Sequence, residues 1–423
     1  MQISPWGRRI VVGALLLLLV VFFHLRSRNT AGVSQSRSGT IGQLRVGNAS
    51  VQASELLALA RASVPHYSAS TSLEDAAILA SKSQQATPRP QKGLLCAVFA
   101  NANRASVQTI LANIEYMKSS CDWALIFYGG DASLIRLLQH AVSGKEDISI
   151  IKCLMADPRE HVLRQYSVNL FVTASQFHQP SAWRQEQHWE REHNSLVYPK
   201  SLLYMYLLDL LPAYERVWLL DSDISTVQFN VKEYLKTTNC AFPERPLVSQ
   251  PLIAKSTQSY KYLNADEWRD NNIAATSSDF VEIQAPLMDS VFFVWFLRFF
   301  VVPLLLPSHI LGADWGFDAL FCNAARIFAH QNGRDSRYVC MIVTGGTPLR
   351  HLDTGAVDET LGYDLKKYLN KALMRIIEAA FPHVYHSGHD KSINPLLFSG
   401  NYFQVTANSS RFLNRRGSPQ CAY

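Results

Sequence analysis

The stretch Arg216-Val217-Trp218-Leu219-Leu220-Asp221-Ser222-Asp223-Ile224 decides how this chain is read. Val217 to Leu220 form a short, unbroken apolar run, the pattern of a strand buried on both faces of an α/β sheet. Sheets of that kind gather ligands at the carboxyl ends of their strands, and here the run ends in two aspartates one residue apart. Two carboxylates that close repel each other unless a cation lies between them. Hard oxygen donors suit Mn²⁺ or Mg²⁺, each of which keeps open positions for a diphosphate. Asp and Ser also favour turns for purely local reasons, so the tripeptide takes its meaning from its surroundings.

Upstream of this strand the chain alternates strands with helices. Leu94 to Ala100 reads as a strand, followed by the polar loop Asn101-Ala102-Asn103-Arg104 and a helical pattern from Val107 to Met117. Trp123 to Tyr128, closed by Gly129-Gly130-Asp131, is a second strand, and Ile148 to Leu154 a third. A helix from about Lys200 to Leu211, introduced by Pro199 at a first-turn position, leads into the Asp221 strand. The alternation predicts an α/β fold with a mostly parallel sheet flanked by helices.

At the N-terminus, Arg8 and Arg9 precede an apolar run, and Ile10 to Leu25 would span about 24 Å as a helix. No small-residue cleavage site follows promptly, so the run reads as an uncleaved signal anchor suited to a thin membrane. Flanking arginines balance and leave orientation open; the short tail before the anchor points to a single-pass type II protein with its bulk in the lumen. The organisation expected is a cytoplasmic tail (1–9), a transmembrane helix (10–25), a stem rich in Ser, Ala, Gln and Arg (26–91) and a lumenal domain (92–423). Sequons at Asn48 and Asn408 suit the same compartment. Seven cysteines without a CxxC pair argue against a zinc ribbon and for one or two disulfides with an odd thiol left over, Cys96 being read as a buried, inert thiol. The net charge of +6 is modest, and no basic stripe with interleaved aromatics supports nucleic-acid binding. Val291 to Leu306 is apolar enough to suggest a second membrane element, but Arg298 and Pro303 favour a buried helix plus strand.

The order of these elements resembles the GT-A fold of nucleotide-sugar glycosyltransferases. A narrower likeness lies in Leu247-Val248-Ser249-Gln250-Pro251, in Phe280-Val281-Glu282 with Ala285-Pro286, and in Trp315-Gly316-Phe317-Asp318. In order and spacing these blocks resemble those of a plant and protist family labelled "lysine-ketoglutarate reductase trans-splicing related", whose members have an acidic Asp-x-Asp segment where this chain has Asp221-Ser222-Asp223. No GxGxxG follows the first strand, so the label does not imply a reductase. The family commonly has Ile-Val-His where this chain reads Ile342-Val343-Thr344, which leaves His351, His386 and His389 as candidates for a third metal ligand. The segment 184–193 is no zincin motif and reads as a solvated loop or helix.

The resemblance implies a metal-dependent glycosyltransferase moving a sugar from a nucleotide-sugar donor, UDP-sugar first among them, to a glycan, protein or lipid acceptor at a Golgi membrane. Asp221 and Asp223, with His351, would hold Mn²⁺ or Mg²⁺, Asp221 alternatively holding ribose. Asn101, Asn103 and Arg104 would bind base and ribose, and Lys200 would reach phosphate. Asp318 would take the acceptor proton, with Glu282 binding sugar or acceptor. The missing family histidine motivates an alternative, a catalytically inert GT-A-like glycan-binding or scaffolding protein of the secretory pathway.

Overall fold

A computed structural model describes residues 92–155, 199–254, 263–268, 272–311, 313–352, 361–381, 384 and 404–406. The expected tail, anchor and stem, both sequons, segment 184–193, His386 and His389 lie outside the described residues.

Strands β1 (Lys92–Ala102), β2 (Asp122–Gly130), β3 (Ser149–Met155) and β4 (Tyr214–Asp221) pair in parallel in the order β3-β2-β1-β4. Helix α1 (Arg104–Met117) joins β1 to β2, and α2 (Ala132–Val142) joins β2 to β3. Both helices start on a side-chain cap: Asn103 accepts from Ser106 N, and Asp131 from Ser133 N. The expected helix from Lys200 to Leu211 is shorter than its apolar pattern suggests. Pro199 is its N-cap, α3 covers Lys200–Tyr204, and the chain tightens into 3₁₀ turns at Met205–Leu207 and Leu211–Ala213.

The rest of the sheet corrects the expectation of a mostly parallel one. Strands β6 (Val248–Pro251), β7 (Ile273–Ser277), β8 (Leu287–Asp289), β9 (Cys340–Val343) and β11 (Gln404–Thr406) extend it from β4 in the order β8-β6-β9-β7-β11. Only β6 and β9 pair in parallel there; β8 is antiparallel to both β4 and β6, and β7 to both β9 and β11. A parallel neighbour needs a crossover of a dozen or more residues. Residues 284–289 instead run directly back along β4, with Leu219 N donating to Pro286 O and Asp221 N to Gln284 O, both at 3.0 Å. A separate two-stranded ribbon pairs β5 (Ile224–Ser225) with β10 (Arg350–His351).

Both faces of the sheet are covered, which is why the β4 run lacks alternation. Val217 and Leu219 face a core built by α5 (Ser290–Phe296) and α7 (Asp318–Gln331), whereas Trp218 and Leu220 face one built by α1 and α4 (Val231–Cys240). Trp218 stacks on Tyr234 with ring centroids 5.5 Å apart, and its indole N–H donates to Ala285 O at 3.0 Å. The apolar stretch from Val291 is helical throughout rather than helix plus strand: α5 passes through a π turn at Leu297–Val301 and a 3₁₀ turn at Val302–Leu304 into α6 (Leu305–Leu311). Arg298 points to solvent. Among the described residues no helix is long and apolar enough to cross a membrane.

Cys96 is not a free thiol. It bonds to Cys121, which lies just before the start of β2, the strand beside β1; Cys322 bonds to Cys340. Cys240 is disulfide-bonded as well, and Cys153 is free.

Candidate active site

Asp221, the last residue of β4, lies opposite Phe99, and β1 runs on past it to Ala102. Near the end of β1, Asn101 pairs with the end of β2, where Gly130 takes a positive φ of 97° and a Cβ would lie 2.4 Å from Asn101 Oδ1. Asn103 is committed to capping α1, and Arg104, the first residue of that helix, is exposed. Of these three residues expected to hold base and ribose, Asn103 therefore has a structural task of its own.

The Asp-Ser-Asp loop is held from both sides. Ser106 Oγ, in the first turn of α1, lies 3.5 Å from Ser222 Oγ. Asn113, buried on α1, donates to Ile224 O at 2.8 Å and accepts from Thr226 N at 2.8 Å and Thr226 Oγ1 at 3.0 Å. The sequence reading missed Asn113, because one asparagine in a helix looks like a surface residue; its place on the apolar face with Ile110, Ile114 and Met117 was the available signal. On the other side β10 pairs with β5, and Leu352 N donates to Asp223 O at 2.8 Å. That ribbon sets the buried His351 with Nε2 3.6 Å from Asp223 Oδ2. The histidine lies outside the family's block in sequence, yet it stands beside the second aspartate.

Asp221 is engaged by Lys200, whose Nζ lies 2.6 Å from Oδ1 and 2.8 Å from Oδ2. Burial alone would lower the Lys200 ammonium, but Asp221, then Tyr204 and Asp314, outweigh it and hold the group charged, above the usual lysine range. Lys200 N also meets Asp314 Oδ2 at 3.4 Å. Tyr128, at the end of β2, is pushed up to about 12 by burial, and Lys200 opposes this.

The residues of the three further blocks converge on this pair. Gln250 Oε1 accepts from Glu282 N at 2.8 Å, and Gln284 O accepts from Asp221 N. Burial, then the Asp318 and Asp221 carboxylates, raise Glu282 well above the usual carboxylate range. Asp314 and Trp315 donate their backbone N–H groups to Asn370 Oδ1 on α8 (Leu361–Ala380), at 3.1 and 3.3 Å. Gly316 has a φ of 104°, and a Cβ there would press on Met374 and Ile377 of α8 at 3.0 and 3.1 Å. The loop so fixed starts α7 at Asp318, whose Oδ1 accepts from Ala319 N at 3.0 Å. Burial raises the Asp318 carboxyl to about 6, opposed by the backbone N–H groups of Ala319 and Gly316. A carboxylate poised there suits a general base.

Among the described residues no group of three His, Cys, Asp or Glu side chains is arranged to hold a metal ion. Asp223 and His351 offer a carboxylate and an imidazole side by side, and two protein donors completed by diphosphate oxygens and water match the way Mg²⁺ and Mn²⁺ are commonly bound. The donor chemistry thus fits a divalent cation at Asp223 and His351, while Asp221 is taken by Lys200.

No protein-family model matches the chain, and no curated protein matches it. Solved glycosyltransferases overlap it in part. The mannosyltransferase Ktr4p from S. cerevisiae overlaps at 8% identity and a TM-score of 0.24, over 60% of this chain and 77% of that one. The bifunctional glycosyltransferase WbbM overlaps at 11% identity and a TM-score of 0.26, over 66% of this chain and 52% of that one. Neither protein's site is carried over to this chain.

Proposed function

We propose that this protein is a glycosyltransferase that uses a nucleoside-diphosphate sugar, UDP-sugar first among them, and a divalent cation. The observation that carries the reading is the meeting of Asp221, Asp223, His351, Lys200, Glu282, Asp314 and Asp318 at the carboxyl ends of β1 and β4, where α/β sheets bind ligands. A cation at Asp223 and His351 would supply positive charge to a diphosphate leaving group. Lys200, fixed by Asp221, sets an ammonium donor beside it. Asp318 takes the proton of an acceptor hydroxyl as the glycosidic bond forms, and it is ionised for that task above about pH 6. Three disulfide-bonded sites, at Cys96–Cys121, Cys322–Cys340 and Cys240, support an oxidising compartment such as the Golgi lumen. The test is transfer or hydrolysis of a nucleotide sugar by the full chain with Mn²⁺ or Mg²⁺. Asp223→Ala should abolish it without unfolding the protein; activity surviving in that variant would sink the reading.

A second reading has an observation of its own. Lys200 neutralises Asp221, and no three-ligand metal group stands ready among the described residues. Both suit a catalytically inert glycan-binding or scaffolding protein, which would bind no nucleoside diphosphate in a metal-dependent way.

A further inference from the structure

The Asp-Ser-Asp loop carries a cation of its own. Lys200, the first residue of α3, sets its Nζ 2.6 Å from Oδ1 and 2.8 Å from Oδ2 of Asp221, so one ammonium holds both oxygens of that carboxylate. The pair is set into the protein rather than spread over its surface, with the Lys200 side chain 23% exposed and that of Asp221 21%. Its geometry is prepared by the short helix that carries the lysine. Pro199 caps that helix, the Lys200 backbone N–H meets Asp314 Oδ2 at 3.4 Å, and Ser201 Oγ lies 2.7 Å from Ser308 Oγ of α6. Asp223, the second carboxylate of the loop, has an imidazole beside it instead, His351 Nε2 at 3.6 Å.

The two carboxylates and the imidazole share one neighbourhood. After Lys200, the charges that act most on the Asp221 carboxylate are those of Asp223 and His351. Asp221, Asp223 and His351 have the chemistry of a three-donor cation site. Among the described residues, however, no group of three is arranged to hold a metal ion. Asp221, turned to Lys200, is the missing donor. The ammonium does two things at once. It takes both oxygens that could bind a cation, and it cancels one of the two negative charges that would attract it. Affinity for a hard divalent cation follows the number and charge of its oxygen donors, so both effects act in the same direction.

We infer that Lys200 is a built-in counter-cation that withholds Asp221 from the divalent cation, and that taking the ammonium away would turn a two-donor site into a three-donor one. This rests on the metal-dependent reading and gives Lys200 a task within it: a positioning residue that acts through Asp221. One carboxylate and one imidazole leave most of the cation's shell to oxygens from elsewhere, which a diphosphate would bring together with the missing negative charge. The two aspartates of the loop therefore differ in role. Asp223 is the cation's ligand, and Asp221 is the seat of the lysine.

The test titrates Mn²⁺ into the full chain, with and without UDP or GDP, and reads the free ion by electron paramagnetic resonance. Without nucleotide, Lys200→Met should tighten Mn²⁺ binding about tenfold or more, because it frees a carboxylate and restores its charge. A lysine kept for stability alone would give no such gain. Lys200→Met combined with Asp221→Asn removes the pair as a neutral unit, and this double variant should bind Mn²⁺ as the wild type does. A melting curve checks that each variant folds, and the double variant decides by itself if the single one does not. Mn²⁺ binding that is no tighter in folded Lys200→Met, or that is lost in the double variant, would overturn this inference while leaving the cation site at Asp223 intact. Failure of Mn²⁺ to bind the wild type even with UDP or GDP present would overturn the metal-dependent reading, and this inference with it.

Discussion

The two halves of the central sheet are built by different rules. On one side of Asp221, β3-β2-β1-β4 is parallel, its strands are seven to eleven residues long, and helices α1 and α2 join consecutive strands. On the other, β8-β6-β9-β7-β11 is mixed, its strands are three to five residues long, and neighbours come from distant parts of the chain. The parallel half supplies the Asp-Ser-Asp loop at the carboxyl end of β4. The mixed half, with the loop before α7, supplies Gln250, Glu282 and Asp318. Local periodic structure thus makes the Asp-Ser-Asp end of the proposed site, and long-range pairing brings His351 to it and makes the acceptor end.

Cutting the seam should have the largest effect. Trp218 lies in β4 where the halves join, fully buried, and its indole N–H reaches Ala285 of the returning segment. Trp218→Ala should cost about 3–5 kcal/mol, read as a lowered denaturant midpoint. A loss under about 1 kcal/mol would mean that the halves are not joined through this residue.

Asp318→Asn separates function from stability on the mixed side. Transfer should fall by about 10²–10⁴-fold, and the wild-type rate should rise with pH through about 6 as Asp318 ionises. The stability effect runs the other way. Burial raises the folded pKa from 3.8 to about 6, so the folded protein holds this proton more tightly than the unfolded chain does. The stabilising contribution of the protonated form is complete below about pH 4 and is lost as pH rises to about 6. At neutral pH the buried charge costs up to about 3 kcal/mol, and Asn, which keeps the contact from Ala319 N, should recover part of it. Glu282 is shifted in the same direction, so melting temperature should still decline with pH in the variant, though less steeply than in wild type. A variant less stable than wild type at pH 7 would contradict the assignment of a buried, ionised Asp318.

The parallel side is sharpened by Asn113→Ala. The change leaves the Ile224 carbonyl and the Thr226 N–H without their partner in a buried setting, costing about 1–3 kcal/mol. Because Ile224 follows Asp223 directly, donor KM should rise more than kcat falls. Equal effects on both constants would mean that Asn113 serves stability alone.

What could be read from the sequence divides along the same line. The strands from Leu94, Trp123 and Ile148, the helix to Met117 and the Asp221 strand end were legible because each is a local apolar pattern, β1, β2 and β4 being buried on both faces and the edge strand β3 half-buried. The direction of β8 was not, since nothing in Leu287–Asp289 says which way a three-residue strand runs. Asp221, Asp223, Glu282 and Asp318 could be named from motif blocks, and the structure brings Glu282 and Asp318 into the same electrostatic neighbourhood as Asp221. The Lys200–Asp221 ion pair, the His351–Asp223 approach and the Cys96–Cys121 bond depend on which segments become neighbours. Residue spacing does not encode that; seven cysteines alone admit many pairings.

The most direct test of the central claim is a thermal-shift titration of the full chain against UDP, GDP and CMP, with and without Mn²⁺. A ligand at a hundred times its dissociation constant adds about 2.7 kcal/mol to stability, well within reach of a melting curve. The account predicts stabilisation by one nucleoside diphosphate, only with metal present, and its loss in Asp223→Ala. A folded protein whose melting temperature responds to no nucleotide, with or without metal, would contradict it.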